Sequence, residues 1–402
     1  MSNGLELRRL SVLLLTVFVD MVGLLMVVPI LPLYAKHLGA SGLVVGLLFA
    51  SFSFAQLVTS ALWGKLSDRY GRRPVLLIAL FASAVAYAIF GFAHTLWLLF
   101  FMRVVQGAGG GTTGVVQAYV SDTVVPEKRA EALGWVSSAT NLGVVIGPAI
   151  GAVAAHFGPQ MVGFVASGLC LLNVVSAWIW LPESKSHHGP QERPSLRHAV
   201  LEVLRQPFRP VSALIWIYAL AMMAFLAMNS VLALFLGQRF GVNEHTIGWF
   251  FVYVGSISVV MRTLILGPSV RRFGERGTMR MGFVALTLGF LVTPFPMHVW
   301  GFALAVLLVP VGTALLFPPT SSLVSRYATK SEVGQTLGVQ QAFGGVARLI
   351  GPVWAGWAFD HLSIGAPFWI ASALMAATSL FLRPLAASDP KPVPSPAPNL
   401  PG

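Results

Sequence analysis

The sequence predicts an all-α integral membrane protein: twelve transmembrane helices in two pseudo-symmetric six-helix bundles. Three observations carry this. Of 402 residues, 56% are hydrophobic and only 10% charged, and the mean hydropathy is +0.76. Soluble domains carry about 25% charged residues, so most of this surface faces lipid. Twelve apolar runs follow one another, each near the roughly 20 residues that cross ~30 Å of hydrocarbon. The last six of these runs repeat the first six.

The runs lie near 10–35, 43–64, 74–94, 97–121, 132–156, 160–182, 212–237, 246–267, 279–297, 300–324, 334–358 and 366–383. They are read as helices because an open, lipid-facing strand would leave its backbone groups unsatisfied. The first run is too long for the apolar region of a cleavable signal peptide, and no small-residue cleavage site follows it. The narrowest break, between the third and fourth runs, is marked only by His94-Thr95. The polar stretch 183–210 separates a bundle over 1–182 from one over 211–385. The tail 386–402 is Pro-rich and reads as disordered.

Basic residues orient the spans. With the N-terminus in the cytoplasm, 21 of the 26 Lys and Arg fall in cytoplasmic segments. Lys36 and Arg239 lie in outer loops, and Arg103, Arg262 and Arg348 lie within spans. Both termini are then cytoplasmic in a multi-pass cell (inner) membrane protein. This asymmetry accounts for the net charge of +12 without a nucleic-acid partner. Cys170 is the single cysteine, which excludes an intrachain disulfide and a cysteine zinc cluster. His187-His188 reads as a solvated linker pair, so no metal is expected.

The repeat has a period of 202–204 residues. Gly39 and Gly46 correspond to Gly241 and Gly248, Gly64 to Gly267, and Gly147-Pro148 to Gly351-Pro352. Six spans per half make the repeats parallel. Such pairs place a site near the midplane between halves and expose it alternately to the two sides.

Among 14 acidic residues only Asp20 lies deep in a span. A carboxylate at mid-helix costs ~2.5–3.5 kcal/mol, so it must be paired, protonated or facing a wet cavity. Arg103 is its expected partner. Counted at ~1.5 Å per residue from the cytoplasmic face, Asp20 sits at ~16 Å and Arg103 at ~18 Å. Arg348 is left open between lining the cavity, attracting anions and bonding carbonyls. Arg262, five residues from Gly267, is expected to snorkel to the inner interface. Gly143, Gly147 and Gly151 make one smooth face on span five, bent by Pro148, and are expected to seal the halves on one side. Gly107, Gly109, Gly110 and Gly111 are not a nucleotide loop, because no Gly-Lys-Ser/Thr follows. Gln106, Gln117, Asn141, Asn229, Gln340 and Gln341 are polar residues at span interiors and candidates for substrate contact. Phe225, with Met222, Met223 and Met228, suits an adaptable apolar wall.

Four segments carry a resemblance. Gly64-Lys65-Leu66-Ser67-Asp68-Arg69-Tyr70-Gly71-Arg72-Arg73-Pro74 resembles the cytoplasmic loop signature of the major facilitator superfamily. Arg103-Val104-Val105-Gln106-Gly107 is similar to its intramembrane arginine motif. Gly143 through Gly151 resembles the motif of its antiporters, with Ala152 where a further glycine is usual. Val19-Asp20-Met21-Val22-Gly23 is similar to the twelve-span drug/proton antiporters, tetracycline exporters among them. The resemblance implies proton coupling through Asp20 and Arg103. It also implies a cytoplasmic gate of Gly64, Asp68, Arg72 and Asp122 that latches the outward-open state. Arg69 and Arg73 are read as orientation charges only. The loop Gly267–Arg276 looks like a degraded copy without the acid that Asp68 supplies. Ala86 and Leu286 stand where tetracycline exporters carry further acids, which counts against tetracycline.

The expected function is proton-coupled export of small lipophilic compounds, cationic or neutral, by a monomer. The proton gradient is the energy source, and no cofactor is needed. The alternatives are a major-facilitator exporter of a metabolite, sugar, siderophore or lipid, and a transporter-like receptor without flux. No cluster of His, Asp and Glu within the spans suggests an enzyme.

Overall fold

A computed structural model describes residues 2–110, 112–184, 196–328 and 332–386, and among these no strand occurs. Gly111, residues 185–195 of the expected linker with His187-His188, and the Pro-rich tail from Ala387 fall outside the described residues.

The first half comprises α1 (Ser2–Val27), α2 (Leu31–His37), α3 (Gly42–Tyr70), α4 (Arg72–Gly91), α5 (Leu96–Gly109), α6 (Thr112–Thr123), α7 (Pro126–Ala155) and α8 (Pro159–Trp180). A linker helix, α9 (Leu196–Arg205), follows. The second half comprises α10 (Pro210–Phe240), α11 (Glu244–Val260), a π-turn over Met261–Ile265, α12 (Leu266–Val292), α13 (Val299–Val306), α14 (Leu308–Tyr327), α15 (Val333–His361) and α16 (Ala366–Thr378). A 3₁₀ turn (Ser379–Leu382) and α17 (Arg383–Ala386) close it.

Among the described residues, each of the expected runs falls mainly on helix. Nine stretches among the described residues are long and apolar enough to cross a membrane. One of them, Glu244–Val292, contains two expected spans. Two expected spans fall short of that measure. The fourth is split into α5 and α6, and α15 is diluted by glutamines, glycines and Arg348. The narrow break at His94-Thr95 is real, because the Thr95 hydroxyl caps α5 by accepting from Leu98 N–H at 3.4 Å. The split after Gly109 is stabilised from α3. Gln56 Nε2 donates to Gly110 O at 3.0 Å, and Trp63 Nε1 donates to Ala108 O. Carbonyls at a helix break within a bilayer need such partners.

The halves meet at the end opposite the basic loops. Helix α3 packs on α15, and α7 on α11. The two seams are built from repeat-equivalent residues. Gly46 lies against the backbone of Pro352 and Val353, and Gly248 against Pro148 O and the Ala152 side chain. A Cβ at Gly248 would stand 2.7 Å from Pro148 O, so glycine is what lets these backbones touch. One apolar cluster runs through both halves, while a second, including Val12, Leu76, Val116, Tyr119 and Leu181, is confined to the first half. The bundle is therefore closed at the end opposite the basic loops.

Candidate functional site

Between the halves lies a cavity of about 320 Å³. Its walls come from α1 (Leu25), α7 (Asn141, Pro148), α10 (Phe225, Met228, Asn229), α11 (Phe250, Phe251, Ser258) and α14 (Thr313, Phe317), with Arg262 from the π-turn. Of the residues expected to contact substrate, Asn141, Phe225 and Asn229 line this cavity, as do Met222 and Met228.

The other candidates lie elsewhere. Gln106 is buried inside the first half and fully used there. Gln117 is exposed on α6 and does not line the cavity. Gln340 is wholly buried, with neither side-chain atom hydrogen-bonded. Gln341 is exposed, and its Nε2 reaches Tyr218 OH at 3.5 Å. Arg348 is half-buried on the side of α15 whose neighbours Gly345 and Pro352 meet Leu57 and Gly46 of α3. It thus lies along the seam between halves, outside the cavity lining. Arg262 corrects the expectation of snorkelling. It lines the cavity, and its Nη1 donates to Asn141 Oδ1 of the other half at 3.4 Å.

Asp20 and Arg103 sit in the same half but form no ion pair here, contrary to expectation. Asp20 Oδ2 accepts from the Thr112 hydroxyl at 2.7 Å. Arg103 is 1% exposed. Its Nη1 donates to Gln106 Oε1 at 2.7 Å and its Nε to Leu48 O at 3.3 Å. Its guanidinium lies over Phe52 and Phe49, 4.7 and 5.3 Å from the ring centroids. Gln106 Nε2 then donates to Tyr87 OH at 2.9 Å. The Tyr87 ring packs against Gly23, one turn beyond Asp20 on α1. Similar depth on helices of one half was not enough to pair the two charges, and each has different partners. Thr112, the first residue after the α5–α6 break, has no sequence signal that would have singled it out.

At the basic end, Arg72 is the hub that the loop motif suggested. Its Nη1 meets Asp68 Oδ1 and Ser67 Oγ, each at 2.6 Å, and its Nε meets Asp122 Oδ2 at 3.0 Å. All three partners belong to the first half. Gly64 lies within α3, where Ser67 Oγ donates to its carbonyl at 2.9 Å. Glu183 was missed by sequence reasoning. Its Oε1 accepts from Arg72 N–H at 2.7 Å, capping α4. Gly71 has φ +100, and a Cβ there would strike the Glu183 carboxyl, so the turn requires glycine. Arg73 is more than an orientation charge, since its Nη2 donates to Trp178 O at 2.5 Å.

The second-half copy also carries an ion pair, with the signs exchanged. Arg326, equivalent to Asp122 by the 204-residue offset, meets Glu275 Oε2 at 3.1 Å. Ser322 donates to Glu275 Oε1 at 2.7 Å.

The end opposite the basic loops holds contacts that the sequence did not suggest. Asp360 at the end of α15 accepts from Gly42 N–H at 2.7 Å and Leu43 N–H at 2.8 Å, capping α3 across the halves. His37 Nδ1 lies 2.7 Å from Glu244 Oε1. The glycine face of α7 also corrects its expected role. Gly143, Gly147 and Gly151 pack on α1 of the same half, where a Cβ would meet Phe18 O, Val22 O and Met26 O at 2.9, 2.9 and 2.8 Å. The seal between halves falls instead to Pro148 and Ala152, against Gly248.

Known proteins agree with this geometry. The sequence profile of the Major Facilitator Superfamily matches residues 13–262 and 214–401. "Multidrug resistance protein 2" of Bacillus subtilis (strain 168) is 30% identical over 375 residues, covering 90% of this chain and 92% of that one. "Tetracycline resistance protein, class B" of Escherichia coli is 25% identical over 363 residues, covering 89% and 90%. The solved nucleoside transporter NupG superposes with a TM-score of 0.77 at 13% identity, covering 96% of this chain and 99% of that one. A two-half bundle with a cavity on its seam, matched by that profile along nearly its whole length, belongs to the major facilitator superfamily.

Proposed function

We propose that this protein is a proton-coupled exporter that extrudes small lipophilic compounds across the cell membrane, with the basic end and both termini in the cytoplasm. The observation that carries this reading is the inter-half cavity. It is mostly apolar, bounded by α1, and lies within two turns of the lone deep carboxylate Asp20. In the arrangement described, the halves touch at the outer end, so substrate enters the cavity from the cytoplasmic side. Asp20 is the proton carrier, with Thr112 as its partner in this state. Arg103, held by Gln106 and Tyr87, is a positive group deep in the same half that Asp20 engages when α1 and α5 shift. Neutral in one state and ionised in the other, the carboxyl ties proton entry to substrate exit. The relatives named for tetracycline and multidrug resistance support the same class of cargo. No cofactor enters the cycle.

The test is flux in proteoliposomes of the purified chain. An imposed pH gradient should drive transport of a lipophilic fluorescent dye, and Asp20→Asn should abolish the proton-driven part while the protein stays monodisperse. Gradient-driven transport by Asp20→Asn at the wild-type rate would remove Asp20 from the mechanism. An absence of gradient-driven flux in the wild type across a compound panel would favour a receptor-like role.

A further inference from the structure

The cavity's charge bears on what it holds. Arg262 is the single charged residue in its lining, and no carboxylate faces it there. The side chain forms no ion pair among the described residues; its one recorded hydrogen bond is the 3.4 Å contact with Asn141. An arginine stays charged at all relevant pH values, and Arg262 is exposed, so its guanidinium is open to a ligand in the cavity. The backbone around it is also unusual. Residues Met261–Ile265 form a π-turn between α11 and α12, and such bulges recur at functional sites. Val254, Gly255, Ser258, Val259 and Arg262 line the cavity as one stripe. The site is thus amphipathic. One end offers Arg262, Asn141 and Ser258, and the body offers Phe225, Phe250 and Phe317.

We infer that this cavity selects organic anions: small compounds with an aromatic or aliphatic body and an ionised acidic group that pairs with Arg262. This departs from the cationic cargo expected from the sequence, for which the cavity lining offers no counter-charge, and adds a charge preference to the neutral one. The inference rests on the reading of this cavity as the transport site. A bound carboxylate would take the guanidinium from Asn141. Because Arg262 and Asn141 belong to different halves, the same exchange loosens a contact across the seam.

The test uses equilibrium dialysis of the purified full-length protein at about pH 7.5, where a carboxylate is ionised. Three probes share one apolar body: naphthaleneacetate, its neutral amide and a naphthylethylammonium. Naphthaleneacetate should bind at least about tenfold more tightly than the amide, as a charge-assisted hydrogen bond allows, and the ammonium most weakly. Arg262→Gln should erase the preference, and Arg262→Lys should keep a reduced one. Equal binding of all three probes by the wild type overturns the inference, and this arm needs no variant to fold. A carboxylate preference that survives Arg262→Gln in a monodisperse preparation overturns it too. The two readings fail separately. Gradient-driven export of a neutral dye without anion preference sinks this inference alone. Arg262-dependent anion binding without gradient-driven flux sinks the export reading alone.

Discussion

At the residue scale, the chemistry depends on which partners a charge has. Arg72 shows this most clearly. It was legible because the loop motif surrounds it, and its guanidinium spans Asp68, Ser67 and Asp122 as a planar fork. A lysine keeps the charge but cannot hold three directions at once. We expect Arg72→Lys to destabilise the basic end of the first half by about 1–3 kcal/mol, the range for a charged hydrogen bond lost at a largely buried group. The check is thermal unfolding of the purified variant beside Lys65→Arg, which should unfold like the wild type. An unchanged midpoint for Arg72→Lys would mean that the hub is not structural. Glu183 was illegible for the opposite reason. It looks like one more polar residue at the start of a linker, and only the fold brings it 2.7 Å from Arg72 N–H, more than a hundred positions away.

At the element scale, spacing gave faces but not their neighbours. The glycines of α7 recur every four residues, and that face does mediate close packing. Its partner is α1, in the same half. A leucine at Gly147 would drive into Val22 O and the Leu25 Cβ, 2.9 and 3.0 Å from an added Cβ. Over-packing typically costs ~1–3 kcal/mol. We therefore expect Gly147→Leu to lower the unfolding temperature of the first half. A proton leak through the seam is not its expected phenotype. A leak without loss of stability, measured in substrate-free proteoliposomes, would return the face to the seam. The breaks within spans were partly visible. Gly109-Gly110 lay in a run set aside as unfit for nucleotide, and the structure makes it the end of α5, propped by Gln56. The π-turn at Arg262 has no signature in composition.

At the scale of the whole molecule, two carboxylates stand at opposite ends of the cycle. Asp360 joins the halves at the end opposite the basic loops. Asp68 pairs with Arg72 of its own half and is proposed to latch the basic end when the opposite end opens. Their neutralisation should have opposite signs. Asp360→Asn should shift the population toward the outward-open state and Asp68→Asn toward the inward-open state. A loss of ~1.4 kcal/mol changes either ratio about tenfold. Spin-label distances across the two ends, in detergent and in nanodiscs, read both shifts. Identical distance distributions in Asp360→Asn and the wild type would show that the outer cap does not hold the gate.

The sequence by itself determined the helical class, the twelve runs, the repeat and the family, because hydropathy, charge asymmetry and loop motifs are properties of contiguous residues. It also found Asp20, Arg103 and the Arg72 hub, since a charge deep in an apolar run, or in a dense polar loop, stands out locally. Only the tertiary structure decided that Asp20 meets Thr112, that Arg262 faces the cavity, and that Asp360 caps α3 across the seam. The physical reason is rotational. A rise of ~1.5 Å per residue fixes how deep a side chain lies, but the turn of each helix about its own axis is set by packing against its neighbours. Small residues such as Gly46 and Gly248 set how closely those neighbours approach, and the rotation they allow selects each charge's partner.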